Sequence, residues 1–519
     1  MPSSVRRDAL ILLAAVLLGV LYVASAGGNF PLDDSWIHQT YGRNLAQYGE
    51  WAFLPGVPSA ASTSPLYTVV LAAGYTLGVP FRIWTHGLGI LALALTGMIG
   101  ARMAEQVLPK QRYVPLATGL ALVVAWHLLW AAASGMETMI FCLFTLLLIW
   151  LGWRELQTRS QAAKSLILRG GIFGIAAALA TLTRPEGVLL AGLVGLALLL
   201  ARPNMTWRGI ILWGGAAAVA YLIVLAPYLN FNLQVTGGLL PNTAAAKRAE
   251  SAPYLARDYF WRLGNVITPL LAGGQLLLIP GMVAYVLMLL GVGRVDDGST
   301  RLNFLKSFPM LILPLVWSAA LILLYAATLP LEIQHGRYVI PALPTAIDSG
   351  VVGMAWLLQR SRASMIGRVL VRVVAISGAL LFAAMALVVG LRAYVFDVGL
   401  INQEMVTPAM WIRDNLLPED LLVTHDIGAV GYYAPRPLLD IAGLVNPEVV
   451  PLMQDPDGMW ALMRARGAKY LMALDNQIPG RDPNDSRLCE VFTTSGEDAV
   501  RAGGSNMTIY ALAWDGECE

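Results

Sequence analysis

The sequence predicts a polytopic α-helical membrane protein that carries a small α/β domain at its C-terminal end. Three observations predict it. The 519-residue chain is 57% hydrophobic and only 13% charged, with a mean hydropathy of +0.62, far from the composition of soluble globular domains. Apolar runs suited to membrane spans recur from residue 8 to residue 392. Beyond about residue 395 the pattern changes to short strands and amphipathic helices. The net charge of +2 is too small to imply a nucleic-acid partner, so none is expected, and the placement of Lys and Arg is more informative than their sum.

The first element is the run from Leu10 to Val23, preceded by Arg6-Arg7 and followed by Ala24-Ser25-Ala26. Signal peptides share that layout. With its flanks, however, the run approaches the roughly 20 residues that cross a bilayer, and many further runs follow, so a retained helix is expected. Apolar stretches then recur near residues 65–80, 84–105, 114–132, 138–153, 166–182, 187–201, 208–228, 265–291, 308–328, 337–358 and 366–392. If all of them crossed, Lys110, Arg112 and the later basic connections would face outward, against the positive-inside bias.

The stretch 65–80 is the one to demote. It is short, opens at Ser64-Pro65, and contains Gly74 and Tyr75 before ending at Gly78-Val79-Pro80, which suits a re-entrant or interfacial helix. About eleven transmembrane helices remain, with the N-terminus cytoplasmic. The cytoplasmic loops then hold Arg102, Lys110 and Arg112; Arg154, Arg159, Lys164 and Arg169; Arg202 and Arg208; Arg294, Arg301 and Lys306; and Arg360, Arg362, Arg368 and Arg372. The outer face receives the loop 28–83, turns near Gly135 and Arg184, a long loop at about 229–264, a turn near His335 and everything beyond about 393.

In the tail, Leu421-Leu422-Val423 and Tyr470-Leu471-Met472 read as strands, and Ala409 to Leu416 and Gly458 to Arg466 as helices. Cys489 and Cys518 both fall here, where an oxidising compartment would permit a bridge; Cys142 sits in an apolar run. No internal repeat or low-complexity tract is present.

Charged side chains at apolar helix ends mark candidate sites, because a buried charge there costs roughly 2.5–3.5 kcal/mol. Asp33-Asp34-Ser35-Trp36 opens an amphipathic helix with Tyr41, Arg43 and Asn44. The two acids serve as a helix cap, or one becomes a base as its pKa rises beside the other, or they share a divalent cation. Glu137, in Ser134-Gly135-Met136-Glu137-Thr138, tops an apolar helix, where favouring the helix dipole is the competing role.

Thr183-Arg184-Pro185-Glu186-Gly187 breaks an apolar stretch, and Arg184 and Glu186 there could simply neutralise each other. Asn242, Lys247 and Arg248 lie in the long loop, where lipid headgroups are an alternative partner for the cations. Arg337-Tyr338 starts a helix on the outer side, against the positive-inside trend, and an Arg fork matches phosphate geometry. In the tail, His425-Asp426-Ile427-Gly428 and Gly431-Tyr432-Tyr433 follow a strand, a usual place for sites in α/β domains. His425 beside Asp426 could ligate a metal, orient substrate, or be structural.

The order and common sidedness of these motifs carry a resemblance. The acidic pair after the first helix, Ser64-Pro65-Leu66-Tyr67, Gly135-Met136-Glu137-Thr138, Arg184-Pro185-Glu186-Gly187, Asn242 with Lys247, Arg337-Tyr338 and Asp426-Ile427-Gly428 together resemble the GT-C superfamily of membrane glycosyltransferases. The nearest branch is that of the terminal arabinofuranosyltransferases of mycobacterial cell-wall synthesis and their bacterial relatives. The resemblance implies a transmembrane GT-C domain over 1–393 and an exoplasmic α/β domain over 394–519, in the inner membrane of the cell. It also implies inverting transfer of a sugar from a polyprenyl-phosphate donor to a hydroxyl of an envelope glycan, lipid or protein. Such donors carry no nucleotide, which fits the absence of a Gly-rich phosphate loop.

By the same similarity, Asp33 or Asp34 is the general base, and Arg337, Lys247, Arg184 or a divalent metal ion receives the leaving phosphate. Tyr338, Asn242, Glu137, His425 and Asp426 complete the candidate binding set, with Asp34 and His425 as candidate metal ligands. A transporter or flippase of lipid-linked sugars is the rival class. Inverted repeats and mid-membrane broken helices would mark it; neither is apparent in the sequence, and the polar motifs share one face. Another GT-C activity, such as protein O-mannosyl transfer or the modification of lipid A with a charged sugar, differs only in donor and acceptor.

Overall fold

The structure, a computed structural model, describes residues 3–518 except 159, 202–204, 240, 242, 292–297, 331–333, 362–363 and 516–517. Asn242, Arg159, Arg202, Arg294 and Arg362, singled out above, lie outside the described residues. The fold is a polytopic helical bundle with a small α/β unit at one end. Among the described residues, eight helices are long and apolar enough to cross a membrane, or ten if each of two bent pairs is one span. The sequence suggests about eleven.

The remaining candidate is Gly187–Ala201, whose 15 residues span about 22 Å, short of the roughly 30 Å hydrocarbon core. Chain direction shows how it runs through the bundle. Arg184 lies at the end of the bundle that carries the α/β unit, and the Trp207–Thr236 helix returns the chain to that end, where Lys247 follows. The bent pairs were not legible in the sequence. One breaks at Ala125, between Val114–Val124 and Trp126–Ala133, by 55°; the other breaks between Tyr259–Leu271 and Gly274–Leu289, by 96°. Gly273 is fully extended at the second break. At the first, an alanine in an extended conformation carries no sequence mark.

Small residues let the helices approach closely where lipid offers no hydrophobic drive. Gly170 and Gly174, one turn apart on the Ala163–Thr183 helix, rest against the backbone of Trp213 and Ala217, and a β-carbon at either glycine would collide with those carbonyls. The first helix, Ser3–Ser25, buries Ile11, Ala15 and Tyr22 in the bundle. Far from the α/β unit, Arg7 pairs with Glu105 and Arg102 with Asp8.

The segment 65–80 forms a helix only over Pro65–Thr76, about 18 Å long and so unable to span. It packs against the Asp33–Tyr48 helix, and Tyr67 donates a 2.8 Å hydrogen bond to the carbonyl of Gly135. A short hairpin, Ala52–Leu54 with Val57–Pro58, completes this first loop.

The last helix of the bundle continues unbroken from Met365 to Asn415, through two widened turns at Met385–Gly390 and Asn402–Val406. It passes without interruption through residues 393–394, the domain boundary suggested by sequence. Five strands follow: β1 (Leu422–Thr424), β2 (Leu438–Asp440), β3 (Tyr470–Ala473), β4 (Leu488–Thr493) and β5 (Thr508–Leu512). Their order is β2-β1-β3-β5-β4, with β1 parallel to β2 and β3, and β5 antiparallel to β3 and β4. A Cys489–Cys518 disulfide ties β4 to the end of the chain, and Cys142 is free and buried.

The α/β unit is not a separate bead. Phe30 and Trp36 of the first loop share one hydrophobic cluster with Ala409, Ile412, Leu422, Val430 and Ile509. Trp36 packs within 4.9–5.9 Å, ring centre to ring centre, of Phe81, Tyr432 and Tyr433.

Candidate active site

The Asp33–Tyr48 helix organises the site. Leu32 enters it in an extended conformation, and Asp33 and Asp34 occupy its first turn, where carboxylates favour the helix dipole. Their side chains then serve different partners. Asp33, 9% exposed, accepts the backbone N–H of Gly428 at 2.6 Å and of Ala429 at 2.8 Å.

At the far end of that short helix, Gly428–Tyr433, Arg43 donates to the carbonyls of Tyr432 at 2.7 Å and Gly431 at 3.2 Å. An acid and a base on one helix thus hold the two ends of another. Glycine is required at 428, because a β-carbon would collide with the Asp33 carbonyl and carboxylate. Burial and the neighbouring Asp426 push the Asp33 carboxyl up to about 7, against the two backbone N–H groups that favour its charge. Asp33 was expected beside Asp34 in the chemistry; the structure engages both its oxygens in docking the α/β unit.

Asp34 faces the other way, with its side chain 29% exposed, and forms a close ion pair with Arg337, 6% exposed. Burial pushes the Asp34 carboxyl up, but Arg337, Lys247 and His38 outweigh it and hold it well below the usual carboxylate range. Lys247, on the Thr243–Glu250 helix, pairs with Glu250 at 3.0 Å. Burial works against its charge, while Tyr338, Asp34 and Glu250 more than restore it. The expected cations and the acid Asp34 therefore converge, although Asp34 and Arg337 are 303 residues apart.

A buried network continues inward. The same Arg337 nitrogen that meets Asp34 donates to the Tyr338 hydroxyl at 3.0 Å. Arg184 lies 5.5 Å from the Tyr338 ring centre and donates to Glu137 at 3.3 Å, Glu186 at 3.2 Å and the Tyr325 hydroxyl at 2.8 Å. Arg184 thus does more than neutralise Glu186. Glu137 stands at a helix start without a capping bond; its second oxygen faces His38 Nε2 at 3.4 Å. Among the described residues, Arg337 Nη1, Arg184 Nε and Glu186 Oε2 are buried without hydrogen-bond partners, where buried polar groups are normally paired.

His38 and Tyr325 were not picked out in the sequence. His38 carried a signal, lying one helical turn after Asp34; Tyr325 carried none.

From the α/β unit, Asp426 receives Gln477 Nε2 at 2.6 Å and faces His425 Nδ1 at 3.4 Å. Burial lowers the proton affinity of His425, but Asp426 overcomes this and its pKa is pushed up to about 9. Among the described residues no group of three or more His, Cys, Asp or Glu side chains is arranged to hold a metal ion. Asp34 and His425, the candidate metal ligands named from the sequence, pair with Arg337 and Asp426 respectively.

Residues 398–510 match a family described as a domain of unknown function (DUF8728). Over 229 residues the chain is 30% identical to a terminal β-(1→2)-arabinofuranosyltransferase of Mycobacterium tuberculosis (strain ATCC 25618 / H37Rv), covering 42% of this chain and 35% of that protein. The match thus spans about a third of the relative's length. The fold matches ArnT from Cupriavidus metallidurans bound to undecaprenyl phosphate with a TM-score of 0.59 at 15% identity, over 98% of this chain and 99% of that one. It matches the Archaeoglobus fulgidus oligosaccharyltransferase, in its apo form, with a TM-score of 0.58 at 10% identity, over 98% of this chain and 75% of that one. At such identities it is the architecture that is shared: the chain has the fold of the GT-C membrane glycosyltransferases.

Proposed function

We propose that the chain is an inverting membrane glycosyltransferase that moves a sugar from a polyprenyl-phosphate donor to a hydroxyl of an envelope glycan, lipid or protein. Arabinofuranose is the first candidate sugar, from the name of the curated relative. The observation that carries the reading is the Asp34–Arg337 pair beside Lys247, set in this fold. The undecaprenyl phosphate bound to ArnT supports a lipid-phosphate donor.

Asp34 is the base on this reading, since it is the more exposed of the two acids and sits next to the cations. The acceptor oxygen attacks the anomeric carbon and passes its proton to the Asp34 carboxylate. The bond from that carbon to the phosphate oxygen breaks, and the polyprenyl phosphate leaves with the electron pair. Arg337 and Lys247 stabilise the charge that develops on it.

Arg337 also sets the timing. Its Nη1 has no hydrogen-bond partner among the described residues, so a donor phosphate bound there draws the guanidinium charge away from Asp34. The carboxylate then loses the contact that held its proton affinity down and becomes a stronger base when donor is in place.

The orientation that suits this chemistry places the N-terminus in the cytoplasm and the α/β unit outside the inner membrane. The Cys489–Cys518 disulfide fits an oxidising compartment on that side. The test is transfer by the purified protein from a panel of polyprenyl-phosphate sugars. Asp34→Asn should lose roughly 10²–10⁴-fold in turnover while remaining monodisperse, and Asp33→Asn should lose far less. Near wild-type turnover in Asp34→Asn would refute the mechanism, and a collapse confined to Asp33→Asn would move the base to Asp33.

A further inference from the structure

A cavity adjoins the segments that carry Asp34 and Arg337. It measures about 480 Å³, within the roughly 300–1,000 Å³ of small-molecule pockets. Leu32, two residues before Asp34, forms part of its lining, and so do Gln334 and His335, immediately before Gly336 and Arg337. The segments that hold the proposed base and its Arg partner therefore both reach this cavity.

Its polar groups are held in place. His335 Nε2 meets Asp397 Oδ2 at 2.7 Å, and the Trp130 indole N–H donates to the same oxygen at 2.8 Å. The other carboxylate oxygen of Asp397 makes no hydrogen bond among the described residues. The His335 ring is packed edge-on by Trp126 and Trp130, each at 5.3 Å between ring centres.

Gln334 (φ 52°) and His335 (φ 58°) are both left-handed, a backbone conformation that L side chains avoid and that clusters at functional sites. The turn is thus kept in a costly shape that presents an imidazole to a carboxylate between two indoles. His127, 1% exposed, adds a further ring to the wall.

We infer that this cavity is a non-catalytic subsite for a neutral sugar unit of the acceptor, one removed from the hydroxyl being glycosylated. The inference rests on the glycosyltransferase reading for its ligand class. Indole walls suit the C–H faces of a sugar ring, and a half-engaged carboxylate, an imidazole and an amide suit its hydroxyls. Among the described residues no Lys or Arg lines the cavity, which argues against a phosphate. An isoprenoid chain would leave Asp397, His335 and Gln334 facing hydrocarbon, at a cost in unsatisfied polar groups. The donor sugar, for its part, must sit with its phosphate at Arg337. An acceptor longer than one sugar reaches past Leu32 into the cavity.

The test is equilibrium binding of two probes, the methyl glycosides of an arabinofuranosyl and a mannopyranosyl disaccharide, to the purified full-length chain. Wild type should bind at least one probe. Asp397→Asn and His335→Gln should weaken it at least tenfold. Thr268→Trp, at an exposed lining position, should block the cavity without touching the core, which keeps the test valid if the first two variants fold poorly.

Failure of wild type to bind either disaccharide overturns the subsite, as does unchanged binding by the folded variants. Binding of undecaprenyl phosphate that is lost in Asp397→Asn, in place of disaccharide binding, also overturns it and makes the cavity a lipid site. If disaccharide binding behaves as expected while Asp34→Asn keeps full transfer, the subsite stands and the proposed chemistry at Asp34 falls.

Discussion

Replacing Gly428 with Ala tests whether the docked helix at Asp33 is a structural latch. Helix propensity alone favours Ala, by up to about 1 kcal/mol, and Gly428 is not in a left-handed conformation that would penalise it. The structure reverses the sign. The new β-carbon would meet the Asp33 carbonyl and carboxylate, and the helix must retreat to admit it. Retreat breaks the 2.6 Å and 2.8 Å bonds from Gly428 and Ala429 to Asp33.

Hydrogen bonds to charged groups contribute roughly 1.5–3 kcal/mol each. Two such losses, less the propensity gain, leave a net destabilisation of about 2–5 kcal/mol. Thermal unfolding of the purified protein reads the total, and hydrogen exchange at the amides of 428 and 429 reads the latch itself. The expected result is a lower melting temperature together with faster exchange at both amides. A variant as stable as wild type, with both amides still protected, would refute the latch.

Three further outcomes follow from the same geometry. His425 has its folded-state pKa raised to about 9 by Asp426, so its stabilising charge is fully present below the unfolded value of roughly 6.5 and is lost as pH rises through about 9. Melting temperature against pH should fall across that window in wild type and flatten in His425→Gln; parallel curves would contradict the pairing. Cys489→Ser opens a loop of 29 residues and should cost about 3–4 kcal/mol in the chain-entropy account, read as the same drop in denaturant midpoint that a reductant produces in wild type. Arg337→Gln removes the partner that keeps Asp34 ionised, so the acid limb of the transfer rate should move to higher pH; an unmoved limb would detach Asp34 from the rate.

The sequence was most informative where the physics is one-dimensional. Hydropathy marks where apolar helices fall, and the Lys and Arg bias singled out 65–80 as the stretch to demote; the structure forms a 12-residue helix there, Pro65–Thr76. The bends at Ala125 and at Gly273 were not readable. A continuous apolar run looks the same whether straight or folded back by 96°, and its shape is decided by what packs against it.

The candidate site was legible as a set and illegible as a wiring diagram. Asp34, Arg337, Lys247, Glu137 and Arg184 were marked by charge at apolar helix ends, and they do meet. The division of labour between Asp33 and Asp34 depends on partners 395 and 303 residues away, and local patterning carries no trace of such pairings. The His335–Asp397 cavity escaped for the same reason: the sequence marks His335 only as part of the turn that leads into Arg337-Tyr338, and only the tertiary fold brings it to Asp397.

The wiring also changes what the α/β unit is for. Asp33 and Asp34 are consecutive residues of one helical turn, the first fixed to the backbone at 428 and 429, the second paired with Arg337. A shift of the docked helix therefore moves the Asp34 carboxylate relative to Arg337 and to anything held between them. A misplacement of about 1 Å can cost on the order of 10²-fold in rate. The α/β unit need not touch a substrate to matter to turnover; by clamping the residue next to the proposed base, it sets where that base stands. The Gln477 contact to Asp426, on the turn that leads into the docked helix, extends the clamp into the loop that follows β3.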